Sequence, residues 1–243
     1  MGAHPGVSTA VPDSVSGNLA ALLLQIDNAV KRPDRPAPRL LTVSKTRGAA
    51  EVGVLADAGQ SAFGENYVQE ALPKIEALRH RALEWHLIGH LQSNKADAAA
   101  RAFDWVQSVD RPKLVVALAR HRPEESPPLE VLLQVNIDDE TSKHGCRPAD
   151  IAALAALVAA EPRLRLRGLM AIPAPYADPA RRRLAFAAMR DLFDALHARH
   201  PGIDTLSMGM CDDFVPAIEE GATMVRIGSA LFGPRTGDRG ATQ

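Results

Sequence analysis

The sequence predicts a single-domain α/β fold, a closed (β/α)8 TIM barrel with an extra N-terminal helix, and three observations predict it. Short β-branched and aliphatic runs alternate with segments of helical period eight times along the chain, and strands that alternate with helices pair in parallel. The 243 residues are 46% hydrophobic, enough for one large core and within the length at which α/β barrels run as one domain. Polar residues collect at the carboxyl ends of the runs, the face on which such barrels carry their sites. An open doubly wound sheet is the alternative; it typically has fewer strands and a Gly-rich first turn, which this chain lacks.

Residues 1–14, rich in Gly, Pro, Ser and Ala, read as a disordered tail, residues 15–236 as the barrel, and 237–243 as a flexible tail. Asn18–Lys31 has apolar residues at helical spacing and stops at a Pro-rich stretch. The first unit is strand Leu40–Ser44 with helix Ala49–Ala58, and the second is Ser61–Phe63 with Tyr67–His80. Glu84–Ile88 with Asn94–Arg101 follows, then Phe103–Ser108 with Pro112–Arg120. That proline opens a helix where its missing N–H costs nothing. The second half repeats the rhythm: Glu130–Asn136 with Pro148–Ala160, Leu164–Met170 with Pro179–Ala198, and Thr205–Met208 with Asp212–Glu220. Thr223–Ile227 is the last strand, closed by the Gly-flanked turn Gly228–Gly233.

Composition removes several classes of function. The formal net charge is −1, from 29 acidic and 28 basic residues, so no field draws in nucleic acid or an anionic membrane. Cys146 and Cys211 suggest no disulfide framework and fit a reducing compartment. No apolar run is long enough for a bilayer, and the N-terminus lacks a basic segment leading into an apolar one. The expectation is a soluble, cytoplasmic protein.

The strand ends, read in turn, are Lys45, Glu65 with Asn66, His90 with Gln92, Ser108 with Asp110, Asn136, Met170, Ser207 and Arg226. Their convergence on one face predicts a small-molecule site. Lys45 ends a buried strand, where partial desolvation would make its amine a better nucleophile and a Schiff-base candidate; a lysine that only snorkels from the strand end fits the same stretch. The turn at Gly228 and Ser229 leads into a short helix, and the turn at Ser207, Met208 and Gly209 lies before another. Glycine and helix-start N–H groups together make a phosphate cradle, although tight turns without a ligand use the same residues. The HLIGH stretch suggests a metal pair, but four strand residues put His86 and His90 about 13 Å apart, so His86 reads as a barrel-interior residue and no metal is expected.

The VSKT around Lys45, FGENYVQE, WHLIGHLQSNK, TSKHG and the long LSMGMCDDFVPAIEEGATMVRIGSALFG together resemble the pyridoxal phosphate homeostasis proteins, single-domain relatives of the alanine racemase barrel (fold type III). The resemblance runs from about Leu40 to Gly233. It implies pyridoxal 5′-phosphate (PLP) as an internal aldimine on Lys45. It also implies phosphate contacts from the turn of Ser207, Met208 and Gly209 and from Gly228 and Ser229, Arg226 beside the pyridine nitrogen, and Asn66 in the pocket. Family members carry a loop lysine, here Lys143, suggested as a secondary contact; a lysine in an acidic loop is otherwise a solvated charge. Many relatives have Ser where this chain has Cys211; a thiol is a weaker donor than a hydroxyl, so phosphate binding is looser if that side chain touches it, while the expectation is that Cys211 packs without consequence.

A guanidinium at the ring nitrogen, always charged and only a donor, mutes the cofactor as an electron sink. A racemase also needs a second acid/base on the far face of its substrate, which related racemases bring from a second domain of a partner subunit. The chain ends shortly after its eighth unit, and neither Tyr67 nor Tyr176 clearly opposes Lys45. The leading expectation is therefore a PLP carrier in intracellular PLP homeostasis, monomeric, with little or no turnover and transient PLP-dependent apo-enzyme partners. Its competitors are a small PLP-dependent racemase or lyase acting on an amino acid with Tyr176 or His90 as second base, and an interaction module reading from Arg181, Arg182 and Arg183.

Overall fold

The computed structural model describes residues 13–31, 37–140 and 143–232. Eight parallel strands close into a barrel in chain order: β1 (Arg39–Val43), β2 (Ala62–Glu65), β3 (Glu84–Leu87), β4 (Trp105–Val109), β5 (Leu129–Val135), β6 (Leu164–Ala171), β7 (Thr205–Ser207) and β8 (Met224–Ile227). Strand β1 pairs with both β2 and β8, in a register that sets Leu41 beside Arg226 and Thr42 beside Phe63. The expected barrel is present.

Around it run α1 (Asp13–Asn28), α2 (Ala49–Asp57), α3 (Val68–Ala77), α4 (Ala96–Ala102), α5 (Pro112–His121), α6 (Ile151–Ala159), α7 (Pro179–His197), α8 (Phe214–Glu219) and α9 (Ser229–Phe232). Helix α1 starts at Asp13, five residues before the expected Asn18, because its first turns are polar and carry no apolar period. It buries Leu19, Leu22 and Ile26, a helical stripe, and packs on α9, α2 and α8. The extra helix thus completes the outer ring beside the four-residue α9. Apart from the first residues of α1, the two expected tails and Gly233 lie outside the described residues.

Boundaries shift where polar residues are buried. Strand β2 continues past the expected Phe63 through Gly64 and Glu65, all buried, because the Glu65 charge has partners inside the fold.

The barrel separates two kinds of core. Between strands and helices lies one large apolar layer that includes Phe63, Trp85, Phe103 and Phe186. Inside the barrel, apolar groups among the described residues form two small clusters, one around Leu41, Ile88 and Met224 and one of Trp105, Leu132 and Met170. Polar side chains touch both: Gln107 Nε2 lies 3.2 Å from Met224 Sδ, and His86 stacks on Trp105 at 5.0 Å between centroids.

Candidate ligand site at the carboxyl ends of the strands

The chain leaves β1 through a tight turn. The Arg47 N–H donates to the Ser44 carbonyl at 3.1 Å, with Lys45 and Thr46 at the corner. Thr46 has φ +64°, a left-handed conformation that a β-branched residue rarely adopts. With a positive φ at the second corner residue only, this is a type II pattern, normally a place for Gly or Asn. Lys45 projects from this corner and is exposed. Its side chain therefore opens onto a cavity wall instead of being desolvated by the strand, which corrects the expected source of its reactivity. Among the described residues it has no hydrogen-bond or ion-pair partner.

Two cavities meet at Lys45. One, of about 420 Å³, is lined by Lys45, Arg47, Cys211, Arg226, Gly228 and Ser229, among others. Among the described residues its wall has three cationic side chains and no carboxylate, a setting for a multiply charged anion. The other, of about 400 Å³, adds Asn66, His90, Gln134, Lys143 and His144 to the shared Val43, Lys45, Met210 and Arg226. The first is shaped by Gly228, where a Cβ would stand 2.6 Å from the Val43 carbonyl oxygen. Only glycine allows that approach.

Arg226 is 2% exposed and fixed at both ends of its guanidinium: Nη1 donates to Ser207 Oγ at 2.7 Å and Nη2 to the Ala171 carbonyl at 2.8 Å. Burial pulls its pKa down to about 10, so it stays charged at neutral pH and can only donate.

The turn after β7 is arranged differently from the expectation. The Ser207 hydroxyl is buried in the barrel, donating to Gln107 Oε1 at 2.7 Å while accepting from Arg226. Met208 packs into the helix–strand layer, and its N–H is bonded to the Met224 carbonyl at 3.2 Å. Neither residue, nor Gly209, lines the two cavities. After this turn Met210 and Cys211 line the first cavity, and Cys211 touches the glycine cradle, its Sγ 3.2 Å from Ser229 Oγ. Burial alone would raise its pKa, but the Ser229 hydroxyl and the N–H groups of Gly228, Ser229 and Ala230 outweigh that and lower it. Cys211 thus both packs against the core and touches the groups of the candidate cradle.

Lys143 also departs from the expectation. Among the described residues its buried Nζ has no hydrogen-bond partner; it lies 3.5 Å from the Asp138 carboxylate, on the wall of the second cavity, and is not a solvated loop charge. Tyr176 donates its hydroxyl to Asp138 Oδ1 at 2.9 Å, which raises its pKa, and it lines neither cavity. His86 lies inside the barrel, as its strand position implied. His90 and His144 stack at 3.6 Å with a 14° tilt, and Asp110 is close enough for the three to offer ligand atoms within 4.8 Å of one another. Imidazole lone pairs lie in the ring plane, so two near-parallel rings at this spacing do not converge on one ion at about 2.1 Å.

A model of the alanine racemase N-terminal domain matches residues 17–236. The chain is 49% identical over 228 residues to the pyridoxal phosphate homeostasis protein of Pasteurella multocida, covering 91% of this chain and 98% of that one. Among solved structures it is similar to PipY of Synechococcus elongatus with PLP bound, at 36% identity and a TM-score of 0.79, covering 90% of this chain and all of that one. An alanine racemase from Corynebacterium glutamicum, 18% identical, has a TM-score of 0.65 over 93% of this chain and 62% of its own; that likeness is one of fold.

Proposed function

Because the chain belongs to the pyridoxal phosphate homeostasis proteins, within the alanine racemase N-terminal domain family, we propose that it binds PLP through a Schiff base on Lys45 and holds it with little or no turnover. The observation that carries this reading is the cavity, without a carboxylate among its described lining residues, in which Lys45, Arg226 and the Gly228–Ser229 cradle meet. The cradle and its cations would take the phosphate, and the second cavity, with Asn66 at its wall, would take the ring. When bound, PLP supplies an aldehyde for the lysine and a ring that draws electrons from attached groups. Arg226, charged and donor-only, would leave a ring nitrogen facing it unprotonated, which weakens that pull.

The position of Tyr176 supports holding over turnover. A racemase needs a base on the far face of its substrate, and this hydroxyl is committed to Asp138. The reading is tested by the absorbance spectrum of protein incubated with PLP and freed of excess, beside Lys45→Ala treated identically. A borohydride-fixable band in the wild type only is the expected result. Robust racemisation of an amino acid by the purified protein would overturn the carrier role.

A further inference from the structure

Beneath the Lys45 turn lies a buried ion pair that lines none of the described cavities near Lys45. Glu65, at the end of β2, is fully buried, and Lys74, reaching in from α3, is 8% exposed. Lys74 Nζ donates to both Glu65 oxygens at 2.8 and 2.9 Å and to the Ser44 carbonyl at 2.8 Å. The Ser44 hydroxyl donates to Glu65 Oε1 at 2.6 Å. Ser44 is thus held by both its carbonyl and its hydroxyl. That carbonyl is the same atom that accepts the Arg47 N–H closing the strained turn. Removing two charges from water is costly, and an apolar pair of similar volume is often as stable or more so. The pair therefore calls for an explanation other than stability, and its contacts supply one: they end on the peptide that carries Lys45.

Resting on the PLP reading above, we propose that Lys74 and Glu65 are positioning residues: they clamp Ser44 so that the strained Lys45–Thr46 corner presents the Lys45 amine where the two cavities meet. Capture there joins Lys45 Nζ to the aldehyde carbon as C=N, and the aldehyde oxygen leaves as water with the two protons of the neutral amine. A clamp that orients the nucleophile acts on this step and not on phosphate binding. The two are separable with pyridoxine 5′-phosphate, which keeps the ring and phosphate but has no aldehyde.

The experiment compares wild type with the Lys74→Met/Glu65→Leu double variant, which leaves no buried charge unpaired, and with Thr46→Gly, which relaxes the corner without touching the pair. PLP affinity and the rate of borohydride-trappable capture are read by absorbance, and pyridoxine 5′-phosphate affinity by calorimetry. The double variant is expected to lose about tenfold in PLP affinity and capture rate, with pyridoxine 5′-phosphate affinity kept within about twofold. Thr46→Gly should slow capture in the same sense while raising the melting temperature. Equal losses for both ligands, or no loss for either, would overturn the clamp while leaving the PLP reading intact. If the double variant does not fold, unchanged capture in Thr46→Gly overturns it alone. Wild type that traps no PLP would sink the underlying reading and the clamp with it.

Discussion

At the residue scale, the thiol of Cys211 has the clearest consequence. It sits against the Ser229 hydroxyl and the N–H groups of residues 228–230, with its pKa drawn below that of an ordinary thiol. As pH rises through that lowered value, a thiolate forms among the groups assigned to the phosphate. Its charge opposes a dianion in the same cradle, so phosphate-ester affinity falls with rising pH. At a few ångströms through water, one such repulsion amounts to about 1 kcal/mol, or roughly fivefold. Calorimetry with pyridoxine 5′-phosphate across a rising pH series should show that loss in the wild type and a smaller one in Cys211→Ser. Equal losses in the two proteins would remove Cys211 from the cradle. The sequence shows the cysteine but not its setting, because residues 211 and 229 meet only when β7 and β8 are neighbours.

At the element scale, the link between β7 and α8 depends on one backbone position. Gly209 has φ +90°, and a Cβ there would stand 2.6 Å from the Cβ of Ala217. Its carbonyl accepts the Arg226 N–H at 3.0 Å, so displacement of this turn is passed to the strand that carries the guanidinium. Gly209→Ala is expected to cost about 1–3 kcal/mol by overpacking and strain, read as a lower urea midpoint. Gly202 provides the contrast, since a Cβ there would have nothing within 4 Å: Gly202→Ala should stay within about 0.5 kcal/mol. The eight strand–helix units were legible because each has its own period and its own Gly or Pro boundary. The continuation of β2 through Glu65 was not, since a carboxylate is admitted to a strand interior only by Lys74 on another element.

At the scale of the whole molecule, a chain of hydrogen bonds crosses the barrel from the ligand face to the opposite end. Arg226 donates to Ser207, Ser207 to Gln107 Oε1, and Gln107 Nε2 to His86 Nδ1 at 2.9 Å. His86 Nε2 then meets Glu84 Oε1 at 2.6 Å, where Arg39 also binds at 2.7 Å. Because Arg226 can only donate, every later group has its role assigned, and His86 must be neutral with its proton on Nε2. Burial, the largest influence on His86, lowers its pKa in agreement. Burial acts to raise the Glu84 pKa, but the contacts with His86 and Arg39 outweigh it and hold the carboxyl at about 2, against 4.5 unperturbed. A depressed carboxyl pKa stabilises the fold above its unfolded value and loses that contribution as pH falls toward the folded one. Glu84→Gln should therefore be less stable than wild type above about pH 4.5, and the gap should close as pH approaches about 2 in urea unfolding. Arg39, at the start of β1, is the outer end of this chain.

The sequence by itself determined the barrel, its strand–helix order, the face of the candidate site, and Lys45 with Gly228, Ser229 and Arg226 on that face. These follow from local period, turn chemistry and a contiguous motif, all carried by residues near one another in the chain. No helix among the described residues is long and apolar enough to cross a membrane, in keeping with the composition. Only the tertiary structure decided what each polar group is bonded to. It turned Ser207 inward to Gln107, 100 residues away, brought Lys74 under Ser44, 30 residues away, and set Cys211 on the cradle. Closing eight strands makes neighbours of residues whose separation in sequence carries no period, and buried polar groups must take whichever partners that closure provides.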